Sequence, residues 1–337
     1  MPSVFDYDVF FACAVGLVVF LYVTLDGFDL GVGIIFPFAP RSADRDVMMR
    51  SLAPMWDGNE TWLVLGGMVL LAGFPLAFSV LLPAFYVPLA LMLFGLVLRG
   101  IAFEFRSQRG AFEIAWSIAF AAGSCLAAFC QGAILGAFVS GSVHVAGDRF
   151  AGGPFDWLSA FSCATGLGVL SGYALLGAGW LIWRTEGATQ TFAREIARPA
   201  LLATAGALLM VSIWTPLMWH QDTTRWFAWP TAVLLAPLPI VAALAWLVAW
   251  HGLWRRRDWV PFAASVVLFA VSLAGLAASI WPAAVPGSLT IWQSSSSPRT
   301  QAIVALALVL IVPVILSYVG YSYWVFRGKI GSDRAAE

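Results

Sequence analysis

The sequence has little charge. Only 11% of its 337 residues are Asp, Glu, Lys or Arg. A soluble fold of this size needs far more to cover its surface, so a soluble globular protein is excluded. Basic and acidic residues balance at 18 each. No basic surplus is available to neutralise nucleic-acid phosphates, which argues against a nucleic-acid partner. Histidine is scarce, with only His144, His220 and His251. The reading places the first two at outer helix ends and the third at an inner end. No pair is placed to sandwich a haem at mid-membrane, and no His/carboxylate cluster suggests a metal. The four cysteines, Cys13, Cys125, Cys130 and Cys163, lie in apolar stretches without metal spacing and read as small core residues. Walker motifs, nucleotide loops and catalytic triads are missing. Strict polar/apolar alternation is missing too, which argues against a β-barrel.

What is present is apolar length. The chain is 61% hydrophobic, with a mean hydropathy of +0.86. A membrane span needs about 20 apolar residues. That rule predicts an all-α polytopic membrane protein with nine spans, at about 9–37, 55–77, 82–104, 114–139, 158–183, 199–219, 228–250, 260–281 and 301–325. Connections are short, so residues 1–337 form a single transmembrane domain. The start, Met1-Pro2-Ser3-Val4-Phe5-Asp6-Tyr7-Asp8, carries acids where a signal peptide carries bases, so the first span is expected to be retained.

Basic residues set the expected orientation. They follow the first span (Arg41, Arg45, Arg50), lie at the end of the third (Arg99, Arg106, Arg109), and follow the fifth (Arg184, Arg194, Arg198), the seventh (Arg255, Arg256, Arg257) and the ninth (Arg327, Lys329, Arg334). Of the 18 basic residues, 15 fall on one side, leaving Arg149, Arg225 and Arg299. The N-terminus is therefore expected outside and the C-terminus in the cytoplasm. Pro83 is suited to open the third span. Gly27 and Gly31 form a small-xxx-small pair that lets another helix approach.

Ionisable residues inside spans are costly, about 2.5–3.5 kcal/mol each on insertion scales, and so point to function. All of them fall in the first three spans: Asp26, Asp29, Asp57, Glu60, Arg99 and Glu104. The expected topology delivers all six to one level near the cytoplasm. Asp26/Asp29 and Asp57/Glu60 are i,i+3 pairs, so each pair shares a helix face. Arg99 can neutralise one of five carboxyls. Groups so placed suit proton relay. Glu104 also fits an interfacial charge, and Glu60 a first-turn residue in a solvated vestibule. The fourth span offers Gln131 as its strong interior polar group.

Leu25-Asp26-Gly27-Phe28-Asp29-Leu30-Gly31-Val32-Gly33 resembles the first-span signature of subunit II of cytochrome bd-type quinol oxidases. Trp56-Asp57-Gly58-Asn59-Glu60-Thr61-Trp62-Leu63 resembles the second, and Leu98-Arg99-Gly100-Ile101-Ala102-Phe103-Glu104-Phe105-Arg106 the third. Ser288-Leu289-Thr290-Ile291-Trp292 and the serine run after it are similar to the family's outer segment before the last span. Short loops are closest to the cyanide-insensitive branch. The resemblance implies nine helices in roughly two four-helix bundles plus one peripheral helix. It implies a partner, subunit I, that holds two b haems, haem d and the quinol site, while this chain holds no haem. Some members bind a structural quinone in subunit II, and small single-span subunits accompany some complexes. Asp57 matches the aspartate of the family's proton path, Asp26 and Asp29 its first-span acidic pair, and Trp62 a tryptophan of an oxygen channel. Some members carry Gln at Glu60 and Asp at Glu104. Gln293 stands where some carry an acid, and no chemistry is assigned to it.

The expected function is thus a haem-free subunit in the bacterial cytoplasmic membrane, surrounded by lipid. The complex oxidises quinol and reduces oxygen to water, electrogenically by vectorial chemistry. This chain helps deliver cytoplasmic protons through Asp57, Asp26, Asp29, Glu60 and Glu104, with Arg99 as charge partner. Two alternatives stand beside it, a proton-coupled transporter and a pure scaffold. The first would show broken helices or an inverted repeat.

Overall fold

The computed structural model describes residues 6–106, 112–218, 229 and 231–331. Arg109, His220, Arg225 and Arg334 lie outside them. The helices, in chain order, are α1 (Tyr7–Ile35), α2 (Ser42–Leu52), α3 (Trp56–Gly73), α4 (Pro75–Ala84), α5 (Tyr86–Arg106), α6 (Glu113–Val139), α7 (Ala160–Arg184), α8 (Gly187–Met218), α9 (Thr231–Leu235), α10 (Pro237–Trp254), α11 (Val260–Ile280), α12 (Ile291–Ser294) and α13 (Pro298–Val325). Two short antiparallel hairpins, β1/β2 (Val145–Ala146 with Arg149–Phe150) and β3/β4 (Ala283–Val285 with Leu289–Thr290), sit between helices.

Among the described residues, eight helices are long and apolar enough to cross a membrane: α1, α5, α6, α7, α8, α10, α11 and α13. α3 coincides with the second expected span, but its polar opening, Trp56-Asp57-Gly58-Asn59-Glu60, lowers its hydropathy. It stops at Gly73 because Phe74, which precedes Pro75, is held at φ −131° and ψ 64°. Pro75 then opens α4. Pro83 does not open the third span, as the sequence suggests. It lies near the end of α4, and α5 begins after the bend at Phe85. The basic stretch after the first span is not a plain loop either. It folds into α2, and Arg194 and Arg198 lie in the first turns of the 32-residue α8.

α7, α8, α10 and α11 pack in a ring. α1, α3, α5 and α6 form a second group, joined to the first through α7. α13 lies outside against α1 and α3, with only Gln301 and Ala305 buried. Gln301 ties it to α1 by donating to Asp8 Oδ1 at 2.7 Å. The core runs along the second half of α1, where every residue from Asp26 to Gly33 is buried. This placement puts the two aspartates at the centre of the protein. Of the cysteines, Cys130 is buried, Cys125 and Cys163 are half-buried, and Cys13 is exposed, so the core reading fails at Cys13.

The close approach of α1 and α7 depends on glycine. A Cβ on Gly31 would collide with the backbone of Tyr173, and one on Gly177 with the backbone of Gly31. Backbone cannot swing aside as a side chain can. Gly31→Val is therefore expected to destabilise by more than the ~1–3 kcal/mol of ordinary overpacking and to lower recovery from membranes. Gly16→Val, where nothing lies within 4 Å of the added carbon, is the matched control and should leave recovery unchanged.

Candidate functional site

Three helices bring their polar groups together where α1 is most buried. Asp26 and Asp29 come from α1, Asn59 and Glu60 from α3, and Arg99 from α5. Asp26, Asp29 and Arg99 are all at most 1% exposed. The Arg99 guanidinium donates to Asp26 Oδ1 and lies 3.1 Å from Glu60 Oε1. Its charge also sits over the Trp56 ring, 5.5 Å from the centroid. One arginine therefore holds two carboxylates from two different helices. Asp29 takes a separate partner: Asn59 Nδ2 donates to its Oδ2 at 2.8 Å and to the Leu25 carbonyl at 3.3 Å. Tyr323 of α13 in turn donates to Asn59 Oδ1 at 3.1 Å.

A second polar chain includes Tyr22, on the same helix as Asp26. Tyr173 donates to Gln131 Oε1 at 2.6 Å, and Gln131 Nε2 donates to the Tyr22 hydroxyl oxygen at 2.7 Å. Tyr22 stands one helical turn before Asp26. Trp62 is 1% exposed and packs with Val18 and Tyr22. Asp26 Oδ2, Asp29 Oδ1 and Arg99 Nε are buried and have no hydrogen-bond partner. The centre thus holds three carboxyls against one guanidinium, with spare acceptor positions. Such an arrangement can bind, share and pass protons.

Not every acid of the three motifs joins this centre. Asp57 is exposed, at the start of the outward stripe of α3 that continues through Thr61, Val64, Met68 and Leu71. It stands one helical turn from Glu60, which turns inward to Arg99. Glu104 is exposed on α5. The six groups expected at one level therefore divide into four that converge and two that face outward. Asn59, Tyr22, Tyr173 and Tyr323 were missing from the site read in the sequence. Asn59 sits inside the second motif, between two acids, and could have been found there. Tyr323 has no sequence signal tying it to α3.

Helix ends, that of α5 among them, are clamped by charge. Arg106 reaches Asp46 at 2.9 Å and Glu113 at 3.3 Å, which binds α5 to α2 and α6. Asp258, in the turn between α10 and α11, accepts from Arg194 and from Lys329, the latter at 2.5 Å. Arg184 donates to the Phe326 carbonyl, and Ile330 bridges to Thr185, so the chain after α13 is laid across α7. Partial burial pushes the Asp258 carboxyl up, but the Lys329 hydrogen bond and the charges of Lys329 and Arg194 outweigh it and hold the group below the usual carboxylate range. A carboxyl depressed in the folded state contributes stability above its ordinary value and loses it as pH falls through the depressed one. Exchange protection at residues 326–331 is therefore expected to persist at neutral pH and fall below about pH 4. In Asp258→Asn it should be weak at both pH values, as followed by hydrogen exchange.

The sequence model described as "Cytochrome bd terminal oxidase subunit II" matches residues 7–326. "Cytochrome bd-I ubiquinol oxidase subunit 2" of Escherichia coli K12 is 27% identical, over 95% of this chain and 94% of its own length. "Cytochrome bd ubiquinol oxidase subunit 2" of Bacillus subtilis is 24% identical, over 91% of each chain. In shape, the chain is similar to one in "The structure of bd oxidase from Geobacillus thermodenitrificans", with a TM-score of 0.71 at 17% identity, covering 95% of this chain and 98% of that one. The three motif helices, the centre they build and a family match across nearly the whole chain lead to one conclusion: this chain belongs to the cytochrome bd terminal oxidase subunit II family.

Proposed function

We propose that this chain, a bd-type quinol oxidase subunit, acts as the proton-supplying, haem-free half of its complex. The single observation that carries this reading is the buried centre of Asp26, Asp29, Glu60 and Arg99, built by three helices in the most enclosed part of the protein. In this reading α3, continued by α4, is the second span and completes a set of nine, the N-terminus faces outside, and the Arg-rich ends face the cytoplasm of a bacterial inner membrane. Glu60 and the aspartates, fixed by Arg99 and Asn59, hold protons in the enclosed centre. Asp57, at the exposed face of α3, hands them on toward subunit I. The outward stripes of α3 and α5, with Asp57 and Glu104, face subunit I, where quinol oxidation and oxygen reduction take place.

Haems belong to the complex, and the two described histidines of this chain do not fit as their ligands. His144 and His251 are both exposed, and no group of three His, Cys, Asp or Glu side chains converges on a metal position. No step is therefore routed through a haem here. The buried tryptophan Trp62 is proposed to border an oxygen path.

The reading is tested by purifying the complex through a tag on this chain. Haem bands and quinol-dependent oxygen consumption are expected to co-purify, and the separated chain should show no haem absorbance. Haem that stays with the separated chain would overturn the assignment.

A further inference from the structure

The turn between α10 and α11 carries three consecutive arginines, Arg255, Arg256 and Arg257, all exposed. Several charges at this end are already taken up: Arg194 and Lys329 hold Asp258, and Arg184 is turned toward the Phe326 carbonyl. Among the described residues, Arg255, Arg256 and Arg257 have no acidic partner. Two residues beyond them begins an apolar cleft of about 310 Å³, lined by Trp183 of α7 and by Trp259, Phe262, Ala263 and Val266 at the start of α11. Trp183 and Phe262 stack at 5.7 Å, forming one wall. Trp183 and Trp259 remain 39% and 59% exposed.

The backbone supplies an independent observation. Arg256 has φ 53°, in the left-handed region that favours glycine. The Arg257 N–H closes the end of α10 on the Gly252 carbonyl at 3.0 Å, a helix stop whose left-handed residue is usually Gly. An arginine kept in a strained position, unpaired and beside a cleft, points to a ligand. The ligand must combine a negative headgroup with an apolar chain and must reach the site from the bilayer.

We propose that this turn and cleft form a binding site for an anionic phospholipid. The phosphate lies on Arg255–Arg257, and one acyl chain lies in the cleft between Trp183, Trp259 and Phe262. Basic residues near a membrane surface recognise anionic headgroups, and tryptophans anchor at headgroup depth.

The test is lipid titration of the delipidated, detergent-purified complex, with bound lipids counted by native mass spectrometry. The probes are dioleoyl phosphatidylglycerol and dioleoyl phosphatidylcholine. The native complex is expected to bind phosphatidylglycerol more tightly at one site. The R255Q/R256Q/R257Q variant should lose on the order of a hundredfold in that affinity, with phosphatidylcholine binding unchanged. Arg256→Gly relieves the backbone and so should fold at least as well, while losing about fivefold. Ala263→Phe should lower phosphatidylglycerol occupancy with the arginines intact, because it fills the cleft. Equal binding of the two lipids by the native complex, or an undiminished phosphatidylglycerol preference in Arg256→Gly, would overturn the proposal.

Discussion

Arg99→Leu is expected to remove most of the assembled subunit from the membrane. Arg99 is 1% exposed and is the cation that touches both Asp26 and Glu60. Taking it away leaves buried carboxylates without compensation, which costs ~3–5 kcal/mol. Whole domains are stable by only ~5–15 kcal/mol, so this loss is a large share of the total. The contact also joins α1, α3 and α5, so its removal loosens three helices at once. Asp26→Asn combined with Arg99→Leu removes both members of the Arg99–Asp26 pair. Loss of both partners is far less damaging than loss of one, so the double variant should recover part of the yield. The measurement is the amount of tagged complex per unit of membrane and its heat stability in detergent. An Arg99→Leu complex as abundant and heat-stable as the native one would contradict the arrangement described.

Much of this centre was legible in the sequence because charge in an apolar span is so improbable. The i,i+3 spacing of Asp26 and Asp29 and the position of Arg99 late in α5 were enough to predict convergence. The membership of the cluster was not legible. Helical phase decides it: Asp57 and Glu60 lie one turn apart, yet the rotation of α3 turns Glu60 and Asn59 inward and leaves Asp57 exposed. Phase is fixed by packing against α1, through residues such as Trp62, rather than by local propensity. Tyr323 reaches Asn59 across 264 positions of chain, and nothing local encodes that distance. The same division holds for the fold. Apolar length located most of the spans to within a few residues. The break at Phe74, the amphipathic α2 and the extension of α8 past the apolar stretch escaped it. α2 has no apolar length to detect, and Arg194 and Glu195 mask the first turns of α8 as loop.

Asp57→Asn carries the second large effect, and of a different kind. Its side chain is exposed and makes none of the contacts that hold the buried centre, so substitution should leave assembly intact. It stands one helical turn from Glu60, which lies 3.1 Å from Arg99. A group so placed can transfer protons between the outside of α3 and the enclosed acids. Loss of a positioned proton donor typically costs ~10²–10⁴-fold in the step it serves. Asp57→Glu keeps the carboxyl and should retain most activity. A scaffold role would give the opposite signature, with yield affected and turnover per complex unchanged.

The central claim is that this chain supplies protons to the oxidase, and one measurement meets it directly. Quinol-dependent oxygen consumption per haem is compared between the native complex and Asp57→Asn, with the haem spectrum of each recorded first. Identical spectra and a turnover reduced ~10²-fold are expected. Identical spectra with unchanged turnover would contradict it.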